Sequence, residues 1–217
     1  MAPVRRVLIA QWVTDFLQSI LEQDPSFTVL IICMTRETFL EHLLAAIHLH
    51  TASGAGHHQL LTKTLGLLSK SSNVRTVFCP TLEHLRAYVS AGMRDKMPKV
   101  DDDGRQMSRP LLAIFNPLSL HQSTMEFSAQ GLSRTLASVV EVSSGSNIDI
   151  VLCECRDALD SDSTESGEAL WYVDVPLLSS SLRTGVDGNY WTGRAVPVKR
   201  VVQRWFQSTN LSESGQS

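Results

Sequence analysis

Four cysteines lie close to the ends of short apolar runs that we predict to be β-strands. Cys33, Cys79 and Cys153 each end such a run, and Cys155 follows two residues after Cys153. Ligand sites of open α/β sheets collect at the carboxyl ends of parallel strands, so an enzyme that uses these thiols is one hypothesis. However, the chain has no C-x-x-C pair, and cysteine is a common small buried residue. We therefore favour core packing.

A group of basic residues near the C-terminus suits contact with nucleic acid or with an acidic partner. Its members are Arg194, Lys199, Arg200 and Arg204. Trp191 and Trp205 lie beside them in the sequence, and positive charge next to aromatic rings suits phosphate contact and base stacking. The alternative is a helix with one apolar face and one solvated basic face. These four residues are our candidates for nucleic-acid or partner binding, and we assign no catalytic, cofactor or metal residue.

Nucleotide-binding signatures are missing from the sequence. Neither G-x-x-x-x-G-K-[ST] nor G-x-G-x-x-G occurs, and the turn at residues 33–37 contains no glycine or lysine. That turn lies within Phe27–His48, which has the strand–turn–helix order of a nucleotide site. The apolar run Leu111–Phe115 resembles a Walker B strand, but Asn116 follows it where an aspartate would hold Mg²⁺. A neutral amide is a poor sole ligand for a hard cation, so we interpret Asn116 as a cap of the following turn. We expect no cofactor.

Composition indicates one globular domain. The chain has 217 residues, of which 43% are hydrophobic and 19% charged, and its formal net charge is -3. This charge gives no global attraction to nucleic acid or to an anionic membrane. The longest apolar runs are far shorter than the roughly 20 residues that span a bilayer, so we expect no membrane partner. Four cysteines do not suggest a disulfide framework, and we expect a reduced intracellular protein.

Short apolar runs alternate with helical patterns along the chain. We predict strands at 27–33, 74–79, 111–115, 148–153 and 170–175, and helices near 7–22, 35–48, 60–68, 81–92, 128–142 and 196–206. The first residues of the 7–22 pattern could instead form a short edge strand. Strands that alternate with helices predict βαβ units, and hence a mainly parallel sheet with helices on both faces.

The domain organisation follows from these elements. Residues 1–24 are predicted to form an N-terminal helix that packs on the core, and 25–207 a single α/β domain. Exposed loops are expected at about 94–109 and 156–168, because both stretches are charged and poor in aliphatic residues. Residues 208–217 are predicted to be a disordered tail.

The order of these segments resembles the RecA-like core of recombinase paralogues and related pseudo-ATPases over residues 25–206. The matching pieces are FTVLIICMTRETFLEHLLAAI at the Walker A position, RPLLAIFNPLSLH at the Walker B position, SAQGLSRTLASVVEVS, IDIVLCEC and GRAVPVKRVVQRWF. The resemblance implies a three-layer RecA-like α/β fold that lacks functional Walker A and B motifs. It also implies a non-catalytic subunit that uses the fold as an assembly surface.

Two functions follow from the resemblance. The first is a subunit of a heteromeric complex that assists homologous recombination and DNA repair, as Shu-complex-type subunits do. It implies a second RecA-like subunit as partner, possible DNA contact and a nuclear location. The second is a structural RecA-like subunit of the Elongator tRNA-modification complex, with the cytoplasm as the alternative location.

Overall fold

A parallel sheet flanked by helices forms the described part of this computed structural model. The structure describes residues 2–23, 25–52, 58–92, 108–160, 163, 165–178 and 194–210. The strands are β1 (Arg5–Ile9), β2 (Thr28–Ile32), β3 (Val74–Phe78), β4 (Leu111–Phe115), β5 (Asp149–Glu154), β6 (Asp174–Pro176), β7 (Ala195–Pro197) and β8 (Gln207–Asn210).

Seven α-helices are found in these residues. They are α1 (Val13–Glu22), α2 (Arg36–Ala52), α3 (Leu65–Ser72), α4 (Leu82–Gly92), α5 (Pro117–Gln122), α6 (Ala129–Ser146) and α7 (Val198–Val202). Two 3₁₀ helices, Gln59–Leu61 and Gly167–Tyr172, complete the set.

The main sheet has six parallel strands in the order β3-β2-β4-β5-β1-β8, and β6 and β7 form a separate antiparallel pair. One core cluster joins α4, α6 and α7 to one face of the sheet, and a second cluster joins α1 and α2 to the other face. The chain is therefore an α/β protein with three layers, and the α/β class expected from the sequence is confirmed.

Strands β2 and β4 lie at the centre because both of their faces are apolar. All five residues of each strand are buried. Successive side chains of a strand point to opposite faces, so Ile31 joins one core cluster and Ile32 the other. A parallel sheet covered by helices on both sides requires such continuous apolar runs, and this pattern made these strands predictable.

Local capping fixes where the helices begin. The hydroxyl oxygen of Thr35 accepts a hydrogen bond from the backbone N–H of Thr38 at 3.2 Å, at the start of α2. Ser128 accepts from the N–H of Gly131 at 3.1 Å, at the start of α6. These bonds satisfy N–H groups that have no partner within the helix. The first turns of α2 and α6 are therefore each stabilised by a side-chain cap.

The N-terminal segment differs from its prediction. The sequence predicted one helix over residues 7–22, but residues 5–9 form β1 and the helix begins only at Val13. The alternative of a short edge strand is correct in that these residues form a strand, but wrong about the edge, because β1 lies between β5 and β8. Val7 and Leu8 belong to core clusters on opposite faces. Their apolar side chains also fit the helical spacing that continues to Phe16, which caused the error.

The structure differs from the sequence-based prediction at three further places. Leu170–Val175 was predicted as a strand, but a 3₁₀ helix ends at Tyr172 and β6 starts at Asp174. Helix α5 was not predicted. Residues 208–210 were assigned to a disordered tail, yet β8 extends from Gln207 to Asn210 and pairs with β1. A strand of four mostly polar residues carries no apolar alternation that could identify it.

Several predictions fall wholly or partly outside the described residues. The predicted loop at 94–109 is described only at 108–109, and the tail from 211 onward is not described. In the loop at 156–168, residues 161, 162 and 164 are also not described. Within the described residues, no helix is both long enough and apolar enough to cross a membrane.

Candidate functional site

The carboxyl ends of β5 and β1 form the place where a ligand site would be expected. The two strands are neighbours, but the chain leaves them in opposite directions across the sheet: β1 leads to β2, and β5 leads toward β8. The following helices accordingly pack on opposite faces, α1 in one core cluster and α7 in the other. Such a topological switch point opens a crevice in which α/β proteins bind ligands.

A carboxyl group is buried at this edge. Glu154, the last residue of β5, is 1% exposed. Its carboxyl oxygens accept hydrogen bonds from the backbone N–H of Leu118, and from the N–H and hydroxyl of Ser119 at 3.4 and 2.8 Å. Burial raises the pKa of Glu154 to about 8, although these hydrogen bonds oppose the rise. The carboxyl group is thus held against the start of α5 and carries a proton near neutral pH.

Asn116 connects the ends of β4 and β5. Its backbone has a φ of 54°, in the left-handed region that asparagine tolerates better than most residues. Its side-chain oxygen accepts a hydrogen bond from the N–H of Cys155 at 2.9 Å. From the sequence we interpreted this side chain as a cap of the following turn, but it makes no capping bond to α5. Asn116 instead closes the gap between two strand ends.

Further contacts bridge the crevice itself. The backbone N–H of Arg156 donates to the carbonyl of Gln11 at 3.0 Å, which joins the segment after β5 to the segment after β1. The side chains of His42 and Asp157 meet at 3.3 Å and tie α2 to the same segment. The loops that would flank a ligand are therefore bonded to each other.

The junctions from strand to helix are short. Only residues 10–12 connect β1 to α1, and only residues 33–35 connect β2 to α2. A phosphate loop needs a longer glycine-rich segment whose N–H groups turn inward around the phosphates. Neither junction has this length, and neither contains a glycine.

The four cysteines lie where the strand prediction put them, and all are buried. Burial raises the pKa of Cys79 to about 11, and it raises the pKa of Cys33 and of Cys155 well above the ordinary thiol value. The sulfur atoms of Cys153 and Cys155 are 3.6 Å apart. A thiol that keeps its proton is a weak nucleophile and metal ligand. No group of three or more metal-ligating side chains is found in the described part of the chain.

The basic residues predicted to bind nucleic acid lie near the C-terminal end of the described residues. Arg194 precedes β7, Lys199 and Arg200 are on α7, and Arg204 follows that helix in a turn. The three arginines are exposed, and none of them forms an ion pair with another described residue. The helix predicted at 196–206 is only partly correct, because α7 covers five of these residues.

Lys199 and Trp205 differ from the three arginines. The amino group of Lys199 donates to the hydroxyl of Tyr172 at 3.4 Å and lies 4.9 Å from the centre of that ring. Trp205 is partly buried and packs against a core cluster. Trp191 lies outside the described residues. Of the two tryptophans beside the basic residues, Trp205 thus has a packing role.

Glu154 was not among the residues that the sequence singled out. A single acid within the run IVLCEC could have been noticed, because a charged residue in a buried parallel strand needs partners. Those partners come from α5, which was not predicted, and they lie about 35 residues earlier in the chain. Only the packing of α5 against the end of β5 identifies them.

Geometry defines the class of the protein: a three-layer α/β protein with a parallel sheet whose carboxyl edge is closed by its own side chains and backbone. The family model described as SPAC22G7.03-like matches residues 4–214, and the chain belongs to this family. No curated protein matches the chain.

Proposed function

We propose that the chain is a non-catalytic RecA-like subunit of a heteromeric complex that assists homologous recombination and DNA repair. The proposal includes a second RecA-like subunit as partner, DNA contact through the basic C-terminal residues, and a nuclear location.

The order of the strands supports the RecA-like part of the proposal. The order β3-β2-β4-β5-β1 differs from the Rossmann and flavodoxin-like orders, and it places β2 and β4, the strands at the two Walker positions of the resemblance, side by side.

The closed carboxyl edge of the sheet is the observation that best supports a subunit without catalytic activity. At the β1–α1 junction only three residues join strand to helix, and the carbonyl of Gln11 is bonded to the N–H of Arg156. At the end of β4, the side chain of Asn116 is bonded to the N–H of Cys155. These polar groups, which could otherwise meet a phosphate or a magnesium ion, are thus engaged with the protein.

Exposed arginines support contact with DNA. Arg194, Arg200 and Arg204 are solvent-exposed, and they form no ion pair within the described chain. Free guanidinium groups bind phosphates in bidentate fashion and release counterions from DNA. Lys199, held by Tyr172, would contribute less.

The test is nucleic-acid binding by the chain together with the proteins that co-purify with it. Affinity for single- and double-stranded DNA is measured across a salt series, for the natural chain and for Arg200→Gln/Arg204→Gln. We expect weaker binding of the variant to all DNA sequences. We also expect the slope of log affinity against log salt to fall by roughly 0.7–0.9 for each phosphate that the variant no longer neutralises.

Lys63→Gln/Lys70→Gln is the matched control, because it removes the same charge from the region of α3, on the face of the sheet opposite α7. Equal affinity and equal slope for both variants and the natural chain would contradict DNA contact at the C-terminal residues. Preference for tRNA, with tRNA-modification subunits as partners, would instead support the Elongator-type function in the cytoplasm.

A further inference from the structure

A cavity that is partly open to solvent lies between the sheet and the region of α3. It has a volume of about 470 Å³ and is lined from α1, β2, α2, the 3₁₀ helix Gln59–Leu61, α3 and β3. Its floor belongs to the core, since Leu30 and Ile32 of β2 are 4% and 0% exposed. No residue of α3 is buried, so this helix covers the cavity without filling it.

The lining is almost entirely apolar, with one charge. Lys63 is the only charged residue among the described lining residues, and Ser71 and Thr76 are the only polar ones. Lys63 is exposed and forms no ion pair with any described residue. Small-molecule sites commonly have volumes of roughly 300–1,000 Å³, apolar walls and a few polar groups that orient the ligand. This cavity matches that description.

A second cavity of about 430 Å³ adjoins the first. The two share Leu21, Leu60 and Leu67, but the second is more polar and includes Lys70 and Glu22. Glu22 accepts a hydrogen bond from the side chain of Gln18 at 2.8 Å. Two lysines and one carboxylate therefore line the combined space, Lys63 in the first cavity and Lys70 and Glu22 in the second, which leaves an excess of positive charge.

We propose that this space binds an amphipathic small molecule with one apolar chain and an anionic head group, such as a long-chain carboxylate. The chain lies on the accessible leucines of α1, α2 and α3, among them Leu17, Leu43 and Leu68, and the head group meets Lys63 and Lys70. An apolar chain that binds there releases water from walls that offer it few hydrogen bonds, which favours association. The net positive charge of the lining selects an anion over a cation.

The proposal is tested by titrating the full chain with carboxylates of 8 to about 16 carbons, below their micelle concentrations. Displacement of a fluorescent polyene fatty acid gives the affinities. We expect saturable binding of one molecule per chain. Each added methylene should increase affinity roughly fourfold until the apolar space is full. Dodecanoate should bind more tightly than dodecanol, and dodecyltrimethylammonium should bind most weakly.

Variants locate the binding site. Leu43→Trp fills the cavity, because Leu43 lines it, and should abolish binding. Leu44→Trp is the matched control on the same helix, since Leu44 is 56% exposed and does not line the cavity. Lys63→Gln/Lys70→Gln should weaken binding of the carboxylate roughly three- to tenfold and leave the affinity for dodecanol unchanged. Circular dichroism checks that each variant folds, and Leu67→Trp replaces Leu43→Trp if that variant does not.

Three results would overturn the proposal. The first is no saturable binding of any amphiphile, which would leave this space as a surface for a partner protein. The second is equal binding by the cavity-filling variant and its control. The third is a cationic amphiphile that binds as tightly as the carboxylate.

Discussion

At the scale of single residues, the buried carboxyl group of Glu154 links folding stability to pH. Its pKa rises from an ordinary value of 4.5 to about 8 in the folded protein. The folded state therefore holds this proton more tightly than the unfolded chain does. The resulting stabilisation is fully present below pH 4.5 and is lost as the pH rises through about 8.

His121 also links folding stability to pH, but in the opposite direction. It lies in the core between α5 and α6, where its Nε2 is 3.0 Å from the hydroxyl of Thr135 and its Nδ1 is 3.4 Å from the carbonyl of Glu126. Burial lowers the pKa of His121 to about 4. The neutral ring is therefore favoured in the folded state, and stability is lost as the pH falls from about 6.5 to about 4. Above pH 6.5 the effect of His121 has ended, and that of Glu154 continues.

Replacing Glu154 tests this linkage. Between pH 6.5 and 8, the free energy of unfolding of the natural chain should fall by about 2 kcal/mol, at about 1.36 kcal/mol per pH unit for one proton. The variant Glu154→Gln has no such proton, so its stability should be nearly constant over this range. Urea unfolding at several pH values measures both slopes. Glu141→Gln, at an exposed position of α6, is the control, and its stability should fall with pH as steeply as that of the natural chain. If the stability of Glu154→Gln also fell this steeply, the buried proton on Glu154 would be contradicted.

At the scale of elements, α6 begins against a tight turn. An ideal Cβ on Gly131 would lie 2.1 Å from the carbonyl oxygen of Glu126 and 3.0 Å from its carbonyl carbon. Both atoms belong to the backbone and cannot move independently of the turn. The carbonyl of Gly131 also accepts from Arg86 at 3.2 Å, which ties α4 to α6. The glycine is therefore required by the close approach of two segments.

The substitution Gly131→Ala should destabilise the protein by about 1–3 kcal/mol or more, as overpacking in a rigid interior does. Gly66→Ala is the matched control, because a Cβ on Gly66 of α3 would meet nothing within 4 Å. Alanine is the better helix former, so this control should stabilise the chain by about 0.5–1 kcal/mol. Thermal unfolding compares the two variants. Similar effects of both substitutions would contradict the close contact at Gly131.

The sequence predicted elements best where their pattern was local. Continuous apolar runs identified β2 and β4, and the polar caps Thr35 and Ser128 precede helices that were predicted. The pattern was ambiguous at Val7 and Leu8, because a short apolar run fits both a helix and a buried strand. Strand β8 depends on pairing with β1, about 200 residues earlier in the chain, so no local signal marks it.

The candidate site was less predictable than the fold. The carboxyl edge of the sheet was identified from the cysteines, but the side chains that close it were not. Asn116 reaches Cys155 across 39 residues of sequence, and Glu154 binds the start of an unpredicted helix. Such contacts arise from the order of strands in the sheet, which the sequence pattern does not specify.

At the scale of the whole molecule, the protein that we propose is a scaffold. The fold has three layers, the carboxyl edge of its sheet is closed by bonds within the protein, and exposed arginines lie near the C-terminus. A subunit of this kind acts through its surfaces and its partners. Its contribution to recombination would then depend on assembly and not on ATP hydrolysis by this chain.

Purification of the tagged full chain from its own cells, followed by identification and quantification of the co-purifying proteins, tests the central claim most directly. We predict a stable complex with a second RecA-like subunit at fixed stoichiometry, together with recombination proteins. A chain that is recovered alone, at its monomer mass and under gentle conditions, would contradict the proposed role.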